Sequence, residues 1–368
     1  MAPRTRSNRI EILAREKLLA SGQIFNTTGF AALPDELYLE IISHFPAYPI
    51  PCGDKAVNIQ AVRDRHFTLF ALSQTCRSLR PAFLRYLWQR IEVYDGMKTG
   101  NGILYRRFGR HRAHSSKKYA EELVRQLEIV TVREPSLARH VNFMNVVVTD
   151  YSVDTVLVEL ARCMALFPNL HTVQFEFAFW PRPDIPNPFM EYQYPSIKKA
   201  YVCTTSTMVL SACPEARIVS PMKWKELIWW PRSMFASALR SCPALEILGP
   251  FLLEKDDIKG IAEGLPNLRE ISLSALLLRT GLEFMSGISA LGHLRIINIL
   301  TNPYRFGKWY DVTEPAVAVH EVREWVQWAK EILSRRAQDS EDDRGPRKVV
   351  VHYEKRAPDT HLVDFHKN

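Results

Sequence analysis

The sequence predicts an α/β chain in which three N-terminal helices are followed by an irregular, curved solenoid of helix–turn–strand units. Three observations predict it. Short apolar stripes at helical spacing occupy residues 33–46, 67–79 and 81–88. From residue 137 a pattern of spaced apolar positions returns again and again, each copy reading as a turn and a short strand. The composition, 46% hydrophobic and 24% charged over 368 residues, is that of ordinary globular material and long enough for about two domains.

The first helix begins at Leu33-Pro34-Asp35-Glu36-Leu37. Pro34 suits the first helical position, and Asp35 and Glu36 place negative charge where the helix dipole favours it. Leu37, Ile41 and Phe45 recur on one face, and Pro46 stops the helix. The second stripe puts Leu69, Leu72, Cys76 and Leu79 together. Pro81 opens a third helix ending at Leu87-Trp88, and Ile91-x-Val93 alternates as a strand.

This order resembles the F-box: a Leu-Pro-x-Glu-Leu start, a hydrophobic helix, a Leu-x-x-x-Cys-Arg helix and a closing Leu-Trp, over residues 32 to about 93. The chain departs from that pattern in a longer insert at 47–66 and in Leu79, where such proteins commonly carry Trp. The resemblance implies docking on the Skp-type subunit of a Skp–cullin–F-box ubiquitin ligase. Leu33, Pro34, Leu37, Ile41, Phe45, Leu69, Leu72 and Trp88 are the docking or supporting positions it carries over. Some of them must pack inside the helical part itself. The structural alternative is a small three-helix cap on a larger domain.

The recurring pattern is apolar–x–x–apolar–x–apolar. It reads Leu170-x-x-Val173-x-Phe175, Ile197-x-x-Ala200-x-Val202, Leu268-x-x-Ile271-x-Leu273 and Leu294-x-x-Ile297-x-Ile299. Weaker copies begin at Ala138, Ala216 and Leu245. Successive first positions lie 32, 27, 19, 29, 23 and 26 residues apart, centred within the leucine-rich-repeat range of about 20–29. Several copies follow a helix-like segment ending in Pro, as at Phe167-Pro168-Asn169 and Leu265-Pro266-Asn267. The region resembles the degenerate leucine-rich repeats behind many F-boxes, especially fungal ones. The implied architecture is a three-helix F-box followed by an irregular leucine-rich-repeat horseshoe. An ordinary α/β domain with alternating helices and strands is the competing expectation.

The expected domains are a basic tail over 1–29, the helical domain over 30–94, a basic linker and helix over 95–130, the repeats with their C-terminal cap over 131–356, and a frayed polar tail over 357–368. The cap is a helix from Pro315, with Val319, Val322, Trp325, Val326, Ala329 and Ile332 on one side, and a last strand over 349–353.

Three segments stand apart. Residues 106–118 hold six Lys or Arg and no acid, which reads as a solvated loop or, alternatively, as a nucleic-acid contact. Residues 180–195 carry five prolines and read as a protruding loop. Trp224, Trp229 and Trp230 with Arg232 combine aromatic and basic groups and are candidate target-binding residues, the alternative being a packed Trp pair.

Chemistry finds little support. There is no phosphate loop, nucleophile elbow or H-E-x-x-H helix, and His320-Glu321 stops after one ligand. The six cysteines form no C-x-x-C pair and read as buried thiols. The sequence therefore predicts no enzyme, cofactor or metal. It lacks an apolar run of bilayer length and a secretory signal, which sets the expectation of a cytosolic or nuclear protein with no membrane partner. The expected function is a ubiquitin-ligase adaptor that docks through the helices and holds a target on the repeats. The alternatives are a leucine-rich-repeat scaffold that recruits no ligase, or a basic nucleic-acid-binding protein.

Overall fold

The computed structural model describes residues 29–30, 33–45, 59–77, 79–99, 102–104, 112–178, 187–221, 239–250, 255–274, 278, 287–301, 319–337, 346–353 and 357–363. They form two compact units that divide between Trp88 and Gln89. The helical unit contains α1 (Asp35–Ser43), α2 (Ile59–Thr75) and α3 (Leu79–Leu87). The sheet unit runs from β1 (Arg90–Val93) through β2 (Lys98–Thr99), β3 (Gly102–Ile103), α4 (Arg112–Glu128), β4 (Phe143–Thr149), α5 (Val153–Met164) and β5 (Thr172–Ala178). It continues with β6 (Lys199–Val202), β7 (Ile218–Pro221), β8 (Ile247–Leu248), α6 (Lys255–Gly264), β9 (Glu270–Ser274) and β10 (Ile296–Leu300). It closes with α7 (Val319–Ala337), β11 (Lys348–His352) and β12 (Asp359–Leu362).

Ten strands make one sheet in the order β1-β4-β5-β6-β7-β8-β9-β10-β11-β12, and β2 and β3 pair separately. All neighbours in the large sheet are parallel except β11 and β12. Register explains why it holds. Ile91, Met144, Val173, Ala200, Val219, Leu248, Ile271, Ile297 and Val349 are successive cross-strand partners. Every one of them is fully buried. Because side chains alternate along a strand, this row fixes one face as apolar from β1 to β11. Helix α4 packs on β1 and β4, α5 on β4, and α7 on β10 and β11.

The α/β class therefore holds, while the finer expectation does not. An F-box arrangement of three helices followed by a leucine-rich-repeat horseshoe is not what forms. The helical unit is a hairpin of α2 against α3, with the nine-residue α1 attached through an aromatic cluster. The remainder is one ten-stranded sheet whose connections are unlike one another. Helix α5 links β4 to β5, a 3-10 segment over Pro188–Glu191 precedes β6, and a longer 3-10 segment over Thr204–Ala212 precedes β7. The spaced apolar pattern is the signature of parallel strands with one buried face, and it places no demand on what joins them. That is why it located strands and misjudged the architecture.

Smaller differences have local causes. Helix α2 starts at Ile59, inside the expected insert, and ends at Thr75, so Leu79 opens α3 instead of closing α2. Pro81 lies within the first turn of α3, where a missing N–H costs nothing. The strand at Ile91–Val93 is an edge of the sheet. Residues 112–118 of the basic run are helical, as the start of α4, and 106–111 lie outside the described residues. The described end of the proline-rich segment packs instead of protruding, with Phe189 fully buried and Tyr194 donating to the Ala161 carbonyl at 3.0 Å. The expected frayed tail contains β12.

The β1 edge is closed by a side chain. Glu92 directs its N–H and C=O away from β4, and the Gln126 amide meets both. Glu92 N donates to Gln126 Oε1 at 3.1 Å, and Gln126 Nε2 donates to Glu92 O at 2.8 Å. Nε2 also reaches Glu122 Oε1 at 2.8 Å, and Arg125 grips the same carboxylate through two bonds. Gln126 thus occupies the place of an eleventh strand.

At the junction of β7 and β8 the backbones come unusually close. A Cβ on Gly249 would meet Ser220 Cα at 2.7 Å and Pro221 Cδ at 2.8 Å. Backbone cannot yield cheaply there, so Gly249→Ala should cost about 1–3 kcal/mol in urea unfolding. An unchanged midpoint would show that β8 can shift freely.

Candidate docking surface

The core of the helical unit is Tyr38, Leu69, Leu79, Phe83, Tyr86 and Leu87. Leu33, Ile42, Phe45, Leu72, Cys76 and Trp88 pack partly buried against it. Tyr38 is its hinge point. Its ring meets Phe83 edge-on at 5.1 Å and Phe30 at 5.6 Å, while its hydroxyl donates to the Phe30 carbonyl at 2.8 Å. A buried cation supports the hairpin as well: Arg65 Nη2 donates to Tyr86 O at 3.1 Å, near the negative C-terminal end of α3.

This geometry divides the eight expected docking residues. Leu69 is wholly internal. Leu33, Phe45, Leu72 and Trp88 serve the same core from its margin, and Ile41 is half-buried. Pro34 and Leu37 are exposed, Leu37 by 45%. The inward stripe of α1 is therefore Tyr38, Ile42 and Phe45, one residue round from the expected Leu37, Ile41 and Phe45. At about 100° per residue, Leu37 and Ile41 share a flank and Leu39 lies on the other. On α2, Phe67 and Phe70 are also exposed, three residues apart on one side. These two and Leu39 carried no motif signal; only the choice of inward stripe reveals them. Trp224, Trp229, Trp230 and Arg232, the expected target-binding group, lie outside the described residues.

No protein-family model matches this chain, and neither does any curated protein.

On the second face of the sheet the central row is mostly polar as far as β10. Glu92, Asn145, Gln174, Tyr201, Ser220, Ser272 and Asn298 fall on it. At the far end the bonds fix a proton. Asn298 Nδ2 donates to Glu270 Oε1 at 2.7 Å, so Oδ1 must face His352 Nε2 at 3.2 Å, and that nitrogen carries the hydrogen. Burial lowers the pKa of His352 despite the opposing pull of Glu270; burial and then Lys199 lower that of His171. Unfolding releases both imidazoles to their ordinary value near 6.5, so the unfolded chain takes up protons first as the pH falls. Their contribution is complete above about pH 6.5 and is lost on acidification through the depressed values. Urea midpoints should drop between neutral pH and about pH 5.5, and a flat profile would contradict these assignments.

The thiols divide in the same way. Cys163, Cys203, Cys213 and Cys242 are buried, Cys76 is half-buried, and Cys52 lies outside the described residues. Burial pushes Cys163 and Cys242 up to about 12 and Cys213 well above its ordinary value. Such thiols do not form the thiolate that nucleophilic chemistry requires. Among the described residues no three metal-ligating side chains converge, and no helix is long and apolar enough to cross a membrane.

Proposed function

We propose that the chain is a two-part adaptor: the helical unit docks on a Skp-type ligase subunit and the sheet unit holds a target protein. The observation that carries the reading is the exposed flank of Pro34 and Leu37 on a helix whose inward stripe is already satisfied by Tyr38, Ile42 and Phe45. A helix that small has no internal use for a second apolar flank, and a hydrophobic groove on a partner does. The motif residues Leu33-Pro34-x-Glu36-Leu37 and Leu87-Trp88 supply the identity of the partner. The work done is proximity. Holding a target lysine beside a ubiquitin-loaded enzyme raises its effective concentration without bond chemistry in this chain.

Calorimetric titration with the Skp-type subunit tests this. Leu37→Asp should weaken binding at least about tenfold, and Leu39→Asp, on the opposite flank, should not. Equal binding by wild type and Leu37→Asp would remove the docking reading.

A further inference from the structure

The residue that precedes each central strand belongs to a continuous hydrogen-bonded column. His171 O accepts the Lys198 N–H at 2.9 Å, and Lys198 O accepts that of Arg217 at 2.8 Å. Arg217 O accepts the Glu246 N–H at 2.9 Å, Glu246 O that of Arg269 at 2.8 Å, and Arg269 O that of Arg295 at 2.8 Å. Direct peptide-to-peptide bonding puts these six residues in one register, stepped by the inter-strand spacing of about 4.8 Å. Each sits at the same place relative to its turn, so their side chains form one row along the edge where the strands begin. His171, Arg217 and Arg269 are exposed, and Lys198, Glu246 and Arg295 are half-exposed.

From Lys198 onward the charges run positive, positive, negative, positive, positive. Two ion pairs along the row, Lys198 with Glu215 at 3.4 Å and Arg217 with Glu246 at 3.3 Å, are solvent-exposed and cheap to exchange, and Arg295 has an interaction of its own that a ligand would have to exchange as well. One step before Lys198, partial desolvation and then Lys199 lower the pKa of His171.

We propose that this row binds an extended acidic polypeptide segment that carries one basic residue at its centre. Carboxylates on either side would meet Lys198 and Arg217 at one end and Arg269 and Arg295 at the other, where arginine can grip a carboxylate with two parallel bonds. The central basic residue would meet Glu246. A nucleic-acid strand fits less well, because its charge is uniformly negative and it would cross Glu246 unpaired. The inference rests on the adaptor reading only in calling this segment part of a target; binding itself needs no ligase subunit.

The test is fluorescence anisotropy on the full chain with a labelled peptide bearing a lysine between pairs of glutamates. Its comparators are an all-glutamate version and a single-stranded oligothymidylate. Wild type should prefer the lysine-centred peptide, with affinity falling as salt is added. Arg217→Glu with Arg269→Glu should weaken it about tenfold or more while leaving thermal unfolding unchanged. Glu246→Lys should transfer the preference to the all-glutamate peptide, which keeps the proposal open to refutation even if the double variant folds poorly. No binding of either peptide, tighter binding of the oligonucleotide, or a preference that Glu246→Lys does not move would overturn it. Since no ligase subunit is present, failure here leaves the docking reading untouched.

Discussion

Replacing Gln126 by alanine should lower the stability of the sheet unit by about 2–4 kcal/mol and make the chain self-associate. The first effect follows from what the amide satisfies. Glu92 is 3% exposed and Gln126 is likewise 3% exposed, so the N–H and C=O of Glu92 would lose their partner where water has poor access. The second follows from position. With Gln126 gone, β1 presents an open parallel edge, the template on which another chain can add a strand. Gln126→Glu separates the two halves of the bond pair. A carboxylate can still accept from Glu92 N but cannot donate to Glu92 O, and it would face the Glu122 carboxylate that Gln126 now contacts at 2.8 Å. It should therefore be destabilised too. Urea unfolding with light scattering reads both effects. A Gln126→Ala chain with a native midpoint and no scattering would mean that the edge is protected by other means.

In the helical unit, Leu69→Ala and Leu37→Asp should behave in opposite ways. Leu69 is fully buried among Tyr38, Leu79 and Phe83. Truncation leaves a cavity in a small core that cannot collapse around it, at about 2–5 kcal/mol. Helical circular dichroism should fall with it, and docking should be lost only as a consequence of unfolding. Leu37 adds exposed apolar surface and little internal packing, so Leu37→Asp should leave the spectrum and the melting curve within about 0.5 kcal/mol of wild type. Docking should vanish all the same. If both variants unfolded alike, α1 would be a structural element and not a docking one.

The contrast between these residues shows what was legible in the sequence. Strand positions were readable because a parallel sheet with one buried face forces apolar residues at fixed intervals, as in Leu170, Val173 and Phe175. The connections were not, since helices and 3-10 segments of several lengths all return the chain to the same edge. In α1 two stripes share Phe45, one through Leu37 and Ile41 and the other through Tyr38 and Ile42. Leucine looks the more apolar choice. Tyr38 is nevertheless inside because its hydroxyl finds the Phe30 carbonyl and its ring finds Phe83. Gln126 gave no sequence signal, because its role depends on which strand ends the sheet. The charged column was equally hidden. Its members lie 19 to 29 residues apart in the chain and become neighbours only through the strand register. β12 was hidden because Asp359–Leu362 is a half-exposed edge and so keeps polar residues.

The most direct test of the adaptor account is co-elution of the purified chain with a Skp-type subunit and a cullin N-terminal domain on a sizing column. The account predicts one stoichiometric ternary peak for wild type that Leu37→Asp dissolves while remaining folded. Separate elution of the wild-type chain, with the Skp-type and cullin subunits running together, would contradict it.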